Sequence, residues 1–421
     1  MKRLLTILLI LYGTLAFAQK EVPLDTCYIW ARQNYPNLKQ SRIWEQIAAL
    51  NQENLKTSYY PQLSLNGQVS YQSKVTEIPA VVPGFTGPTV PKDQYKAYAE
   101  LQQAIWDGGI SAANHELEDA VLKSHLSELE IEIYKLYEQV SQAFFTTLVI
   151  DQQKAVVEAQ ETVLRERLKT IQSQVDNGVV EPSSALVIKA ELLNLEQNKT
   201  QLQAAKDAAK QMLEVLTGKN ITSDLKLIYS GGELFYDAEL HRPELKLYFD
   251  KANLLQSQME ILDKTRNPKV FGFGQLGYGK PGLNMLNDGF DSWYMLGVGV
   301  SWNAFDWKNT ARKKQVLQMQ QESLTYNEDV FRQNIEVLQV QQKETVDKLK
   351  KMIETDEELV ALREQIADAA ESKLQNQVIT ATEYITEVQA ETVSRLNYEL
   401  HKIQLNEARE KYHLIQGKII K

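Results

Sequence analysis

Two pairs of prolines organise this 421-residue chain. Pro36 and Pro61 lie 25 positions apart, and so do Pro243 and Pro268. Their settings match: Asn34-Tyr35-Pro36-Asn37-Leu38 resembles His241-Arg242-Pro243-Glu244-Leu245, and Tyr59-Tyr60-Pro61 resembles Arg266-Asn267-Pro268, at an offset of 207. Downstream the offset becomes 199: Ile105-Trp106-Asp107 pairs with Ala304-Phe305-Asp306, Asn177 with Asn376, and Gly218 with Gly417. The eight-residue difference falls wholly between Pro61 and Asp107, and a length change confined to one interval marks a loop. The chain therefore reads as two diverged copies of one unit, roughly 24–218 and 231–417, and its fold has to be built twice.

Each unit begins with a short helix between its two prolines (36–61 and about 244–265) and continues into strands. After Pro61, Leu63, Leu65, Gly67, Val69, Tyr71 and Val75 alternate with Gln62, Ser64, Asn66, Gln68, Ser70, Gln72 and Lys74. Period 2 with one apolar and one wet face is a β-strand, predicted over about 62–75. Val270, Gly272, Gly274, Leu276 and Tyr278 repeat it over about 269–279. Partner strands are expected at about 94–105 and 293–304, beyond Pro/Gly-rich loops at Pro79–Pro91 and Lys280–Asp291. These lengths suffice for tilted membrane strands. Tyr71, Tyr95, Tyr278, Trp293 and Tyr294 stand near the loops, where an interfacial aromatic girdle is expected. Gly272-Phe273-Gly274-Gln275-Leu276-Gly277 fits the G-x-G-x-x-G pattern, but no helix opens after it, so it is read as strand.

The strands give way to helices too long for a globule. No proline occurs from Asp107 to Asn177. Leu122, Leu126, Leu129, Ile133, Leu136, Val140, Ala143, Thr147 and Ile150 step by 4 and 3, and Val157, Glu161, Leu164, Leu168, Ile171 and Val175 continue a heptad seam. A helix over 107–176 is about 105 Å long. Asn177-Gly178 ends it and Pro182 opens a return helix over about 182–217. The second copy predicts helices at about 307–375 and 382–416. The domain reading is thus a leader at 1–18, repeat 1 at 19–218, a linker or equatorial segment at 219–240, and repeat 2 at 241–421.

Lys2-Arg3, the apolar run Leu4–Leu15 and Ala16-Phe17-Ala18 read as a secretory signal peptide. Its removal takes two cations and moves the net charge from −9 to −11. That balance argues against a nucleic-acid partner, which needs a basic face. The single cysteine, Cys27, allows no intrachain disulfide, lies outside any lipoprotein-type junction, and is expected to be inert. His115, His125, His241, His401 and His413 are scattered, so no catalytic, cofactor or metal constellation emerges, and Met285 and Met295 are too few to argue for soft-metal transport. Four strands cannot close a barrel, and a membrane barrel tolerates no free edge. Two chains give about eight strands, filled by side chains; three give about twelve, wide enough for a channel. The expected fold is an α+β membrane protein: a trimeric 12-stranded β-barrel, four strands per chain, continuing into a long antiparallel α-helical coiled-coil barrel.

The order, duplication and spacing of Asn34-Tyr35-Pro36, Tyr60-Pro61, Trp106-Asp107-Gly108-Gly109, Asn177-Gly178 and Leu216-Thr217-Gly218, with their second-copy equivalents, resemble the outer-membrane efflux protein family of the TolC type across essentially the whole mature length. The resemblance implies an outer-membrane homotrimer in contact with outer-membrane lipid, its helical tunnel in the periplasm. It also implies docking to a periplasmic adaptor and to an inner-membrane pump or ABC exporter, in a tripartite efflux or type I secretion system passing small molecules or polypeptides. The hairpin tips Asn177-Gly178 and Asn376-Gln377 would form the periplasmic mouth. Acidic residues of the second hairpin ring this entrance in the family; Glu383 stands at one such position, Thr386 takes the next, and Glu387 follows it. Such a ring favours cations. The chain departs from the family at Gln377, in place of the turn glycine, and at Ser184 and Ala185, in place of a polar and acidic pair that helps lock the entrance. The alternative is a structural coiled-coil protein of the envelope without transport activity, which would need the long helices but not the barrel-like strands.

Overall fold

The computed structural model describes residues 20–76, 90–221, 225–229, 231, 234, 236, 239–285 and 287–418. The expected leader at 1–18, most of the Pro79–Pro91 loop and parts of the 219–240 linker lie outside these residues. The structure is mostly helical. In chain order the elements are β1 (Lys20–Pro23), α1 (Leu24–Asn34), α2 (Leu38–Lys56), a 3-10 turn (Thr57–Tyr59), β2 (Gln62–Tyr71), β3 (Asp93–Trp106), α3 (Ile110–Asp176) and α4 (Pro182–Thr217). There follow β4 (Leu225–Ile228), α5 (Pro243–Lys264), β5 (Lys269–Lys280), β6 (Asp291–Ser301), α6 (Asn309–Gln375) and α7 (Ala381–Gln416). At 67 residues each, α3 and α6 are about 100 Å long.

The chain forms two compact units, and each draws on both copies. One comprises 39–128 and 246–328; the other comprises the remaining described residues. The first unit carries an antiparallel sheet of order β2-β3-β5-β6. Its register repeats: Leu65 faces Ala99 in the first copy, and Gly272 faces Val298 at the equivalent positions of the second. Strand β2 stops at Tyr71, short of the expected 75. Tyr71 is the ladder partner of Asp93, the first residue of β3, and just beyond it Gln72 N–H donates to Lys92 O (2.8 Å). Strand β6 likewise ends at Ser301. Trp302 leaves the ladder and donates its indole N–H to Arg266 O at 3.0 Å.

The long helices start three and two residues later than the periodicity suggests, and ahead of each an aspartate carboxylate accepts from the backbone of the first helical turn. Asp107 accepts from the backbone N–H of Gly109 (2.9 Å) and Ser111 (2.7 Å) and from Tyr59 Oη (2.8 Å). Burial opposes its charge, but the hydrogen bonds from Ser111, Tyr59 and Gly109 prevail and hold its carboxyl at about 2. Asp306 accepts from Thr310 N–H in the same way at 2.8 Å.

In the second unit, short β1 pairs parallel with β4, which lies inside the expected linker 219–240. The heptad seam of α3 is buried from Leu129 through Ile133, Leu136, Val140 and Ala143, where Tyr28, Phe144, Phe145 and Leu213 complete a core. Cys27 is fully buried in that core, and burial, then the charge of Asp25, pushes its thiol up to about 12. A thiol held there stays protonated and unreactive. Tyr28 Oη donates to the buried Glu410 carboxylate (2.7 Å), tying α1 to the end of α7. A second apolar cluster, around Leu164, Ile171, Ile188, Leu195, Tyr384 and Ile385, packs the two hairpins together toward their turns.

Candidate functional site: the sheet faces and the hairpin tips

The register sorts the sheet into two unlike faces. Leu63, Leu65, Val69 and Tyr71 of β2 share a face with Tyr95, Ala97, Ala99 and Leu101 of β3, Leu276 and Tyr278 of β5, and Tyr294, Leu296, Val298 and Val300 of β6. Its aliphatic side chains are open to the surroundings: Leu65 is 81% and Leu296 78% exposed. An aliphatic sheet face left uncovered on this scale is what lipid contact requires. Strands β2 and β6 are the two edges of the sheet, each with one ladder partner among the described residues. No helix among the described residues is long and apolar enough to cross a membrane, which says nothing of a barrel.

Of the five expected girdle residues, Tyr71, Tyr95, Tyr278 and Tyr294 lie on this aliphatic face near the loop ends of the strands. Trp293 does not. It faces Gly277 across the ladder, on the opposite side of the sheet, with its ring 5.9 Å from that of Tyr98. Neighbouring strand residues point to opposite faces, so Trp293 and Tyr294 cannot both look outward. Phe290 packs beside two of these tyrosines instead, its ring 6.0 Å from Tyr95 and 5.6 Å from Tyr278. An aromatic just ahead of β6, inside the Pro/Gly-rich stretch 280–291, is the sequence signal for this position.

The hairpin tips of the second unit are built identically in hydrogen bonding. At the first, Asn177, Gly178 and Val179 donate their backbone N–H groups to Ser173, Val175 and Gln174; at the second, Asn376, Gln377 and Val378 donate to Ser372, Leu374 and Lys373. Both asparagines also donate Nδ2 to the same serine carbonyl, Ser173 at 2.7 Å and Ser372 at 2.8 Å. Gln377 therefore takes the left-handed position of the missing glycine, with φ 60° against 72° at Gly178.

Glu383 lies at the start of α7, and its carboxylate is engaged locally. It accepts from Thr380 N–H (2.8 Å) and Thr380 Oγ1 (2.9 Å), while Thr380 Oγ1 accepts from Glu383 N–H (3.2 Å). This is a reciprocal capping box, a local pattern visible in Thr380-Ala381-Thr382-Glu383. The bonds from Thr380 hold the Glu383 carboxyl below its ordinary range. Thr386 Oγ1 donates back to Thr382 O (3.0 Å), and Glu387 accepts from Arg363 Nη1 (3.4 Å). The three are thus set apart: a cap, a helix back-bond and an ion pair.

One link between the hairpins escaped the heptad pattern. That pattern steps through Leu168, but Arg167 beside it is the more deeply buried. The Arg167 guanidinium sits 5.1 Å from the ring centroid of Tyr384 and pairs with Glu371, so α3 is tied to both α6 and α7. Among the described residues no group of His, Cys, Asp and Glu is arranged to hold a metal ion.

The chain thus combines a four-stranded sheet with one bare aliphatic face and two helices of 67 residues each. Residues 30–219 match the family model described as outer membrane efflux protein. Over this stretch the chain is similar in sequence to that family, and in fold it is similar to solved structures over nearly its whole length. Solved structures that share the fold include CusC, described through transmembrane channel formation (14% identity, 94% of this chain and 92% of that chain, TM-score 0.67). A membrane protein from Pseudomonas aeruginosa matches at 13% identity, 94% and 90% coverage and TM-score 0.68. The open state of the Neisseria gonorrhoeae MtrE outer membrane channel matches at 11%, 94% and 89%, and 0.64. A comparison with curated proteins finds none that matches the chain in sequence.

Proposed function

We propose that three copies of this chain close a 12-stranded barrel in the outer membrane and that the trimer is the exit duct of a tripartite efflux or type I secretion assembly. In that assembly it docks to a periplasmic adaptor and receives its cargo from an inner-membrane pump or ABC exporter, its helical tunnel lying in the periplasm. The observation that carries this reading is the four-stranded sheet with a bare aliphatic face and two unpaired edges, which lipid would not tolerate unless other copies supplied the missing partners. Four antiparallel strands per chain let the up-down alternation continue around the ring. The repeat also supplies the register. Within the chain β3 pairs with β5 so that Ala99 faces Leu276. Shifting that pair by the two repeat offsets sets Val298 of β6 opposite Val69 of the partner subunit.

Antiparallel partners have Cα atoms about 4.5–5.5 Å apart, within disulfide range. The double variant Val69→Cys/Val298→Cys is therefore expected to oxidise into covalently linked trimers that still conduct in planar bilayers, while Val69→Cys paired with Leu296→Cys is not. A protein that stays monomeric and non-conducting would overturn the proposal. At the hairpin tips, Glu383 supplies exposed negative charge to the entrance, and the tie from Arg167 to Glu371 and Tyr384 holds the two hairpins together there. Glu383→Gln is expected to lower cation selectivity; unchanged selectivity would leave Glu383 as a helix cap only.

A further inference from the structure

The sheet face opposite the aliphatic one is not uniformly polar. In the first copy it is wet, with Gln62, Ser64, Asn66, Gln68 and Ser70 on β2. In the second copy the same face carries Phe271, Phe273, Trp293 and Met295, with Tyr98 beside them on β3. These rings lie over glycines. Phe273 faces Gly297, Phe271 faces Gly299 and Trp293 faces Gly277 across the ladder. A Cβ at Gly297 would come within 2.6 Å of the Phe273 ring, and one at Gly299 or Gly277 would overlap the facing ring. A ring laid over a cross-strand glycine covers bare backbone on one side and presents its π-face on the other. Phe271 and Phe273 are 6.3 Å apart between centroids, and Trp293 and Tyr98 are 5.9 Å apart. Between the two pairs, Gln275 is the ladder partner of both Met295 and Glu100. The Glu100 carboxylate has no hydrogen-bond or ion-pair partner among the described residues.

We propose that this strip is a binding site for planar aromatic cations in the channel wall, with rings stacking on Phe271, Phe273 and Trp293 and the positive charge held by Glu100. The inference rests on the channel reading, which puts the face opposite the lipid-facing side chains in the lumen. Open aromatic faces attract flat rings and cations together, and a nearby unpaired carboxylate adds to both. In a trimer the strip occurs three times, alternating with the polar first-copy wall.

The test is current block of the reconstituted trimer by ethidium, with tetraethylammonium as a cation lacking rings. Ethidium should block the unmodified channel at far lower concentration. Phe271→Leu/Phe273→Leu keeps apolar bulk but removes both π-faces, and should weaken ethidium block about tenfold, the scale of two lost ring contacts, with tetraethylammonium unaffected. Gly297→Val should weaken it too by displacing the intact Phe273 ring. Glu100→Gln should weaken block by both cations. Unchanged unit conductance in each variant shows that the barrel is intact. A conducting channel whose ethidium block is the same in the leucine double variant overturns this inference alone. A chain that forms no conducting pore overturns the channel reading and this inference with it.

Discussion

The two hairpin tips make the same turn with different chemistry. The first uses Gly178 at the left-handed position and Pro182 in the first turn of its return helix, whose N-cap Glu181 makes no side-chain capping bond. The second puts Gln377 at the left-handed position and secures its return helix with the Thr380–Glu383 capping box. Gly108 and Gly109 ahead of α3 correspond in the same way to Trp307 and Lys308 ahead of α6, again with positive φ throughout. The second copy thus accepts backbone strain where the first uses glycine. The return-helix ends are the exception: Gly218 and Gly417 are glycine in both copies. The difference is space. Nothing lies within 4 Å of a Cβ built on Gly178, whereas one on Gly417 would overlap the backbone of His241 and Arg242, where His241 N–H donates to Gln416 O at 2.8 Å. A left-handed site tolerates a side chain when it is open to solvent and demands glycine when another segment docks on it.

The sharpest way to break this comparison is to add one methyl at each kind of site. Gly417→Ala is expected to destabilise the protein by about 3 kcal/mol, combining left-handed strain with overpacking. Gly178→Ala should cost only about 1 kcal/mol. Thermal midpoints of the detergent-extracted protein measure both, and equal losses would refute the spatial explanation. The next effect is at the cap. Thr380→Ala removes the capping box and should cost about 1 kcal/mol, seen as faster amide exchange over the first turn of α7; Glu181→Ala should leave the first turn of α4 as it was. The smallest is a gain. Gln377→Gly relieves strain at an open turn and should stabilise the second tip by about 0.5 kcal/mol, with slower exchange at residues 374–378. A loss of stability there would mean that the Gln377 side chain holds something in place.

Much of this was legible without coordinates, for local reasons. Pro182 opens α4, Gly218 and Gly417 take the left-handed C-cap, and β5 carries its alternation through the G-x-G-x-x-G run, because each depends on backbone rules acting over a few residues. The capping box at Thr380 was equally local and equally legible, and it changes the reading of Glu383 from a free charge to a carboxylate already holding two hydrogen bonds. Phe290 and Arg167 were harder. Each stands beside a stronger pattern, a glycine-rich loop in one case and a leucine seam in the other, and only the neighbours brought near in space reveal its role.

By itself, then, the sequence pointed to a duplication and determined the kinds and approximate lengths of the main elements, since the spacing of prolines, glycines and apolar residues governs local backbone choice directly. Tertiary structure decided what no spacing contains. Its cross-strand register sent Trp293 to the face opposite Tyr294, laid Phe271 and Phe273 over glycines of β6, and drew Arg167 onto Tyr384 from helices more than 200 residues apart. The reason is physical: which side chains meet depends on how elements pack, and packing is settled by contacts among all of them at once.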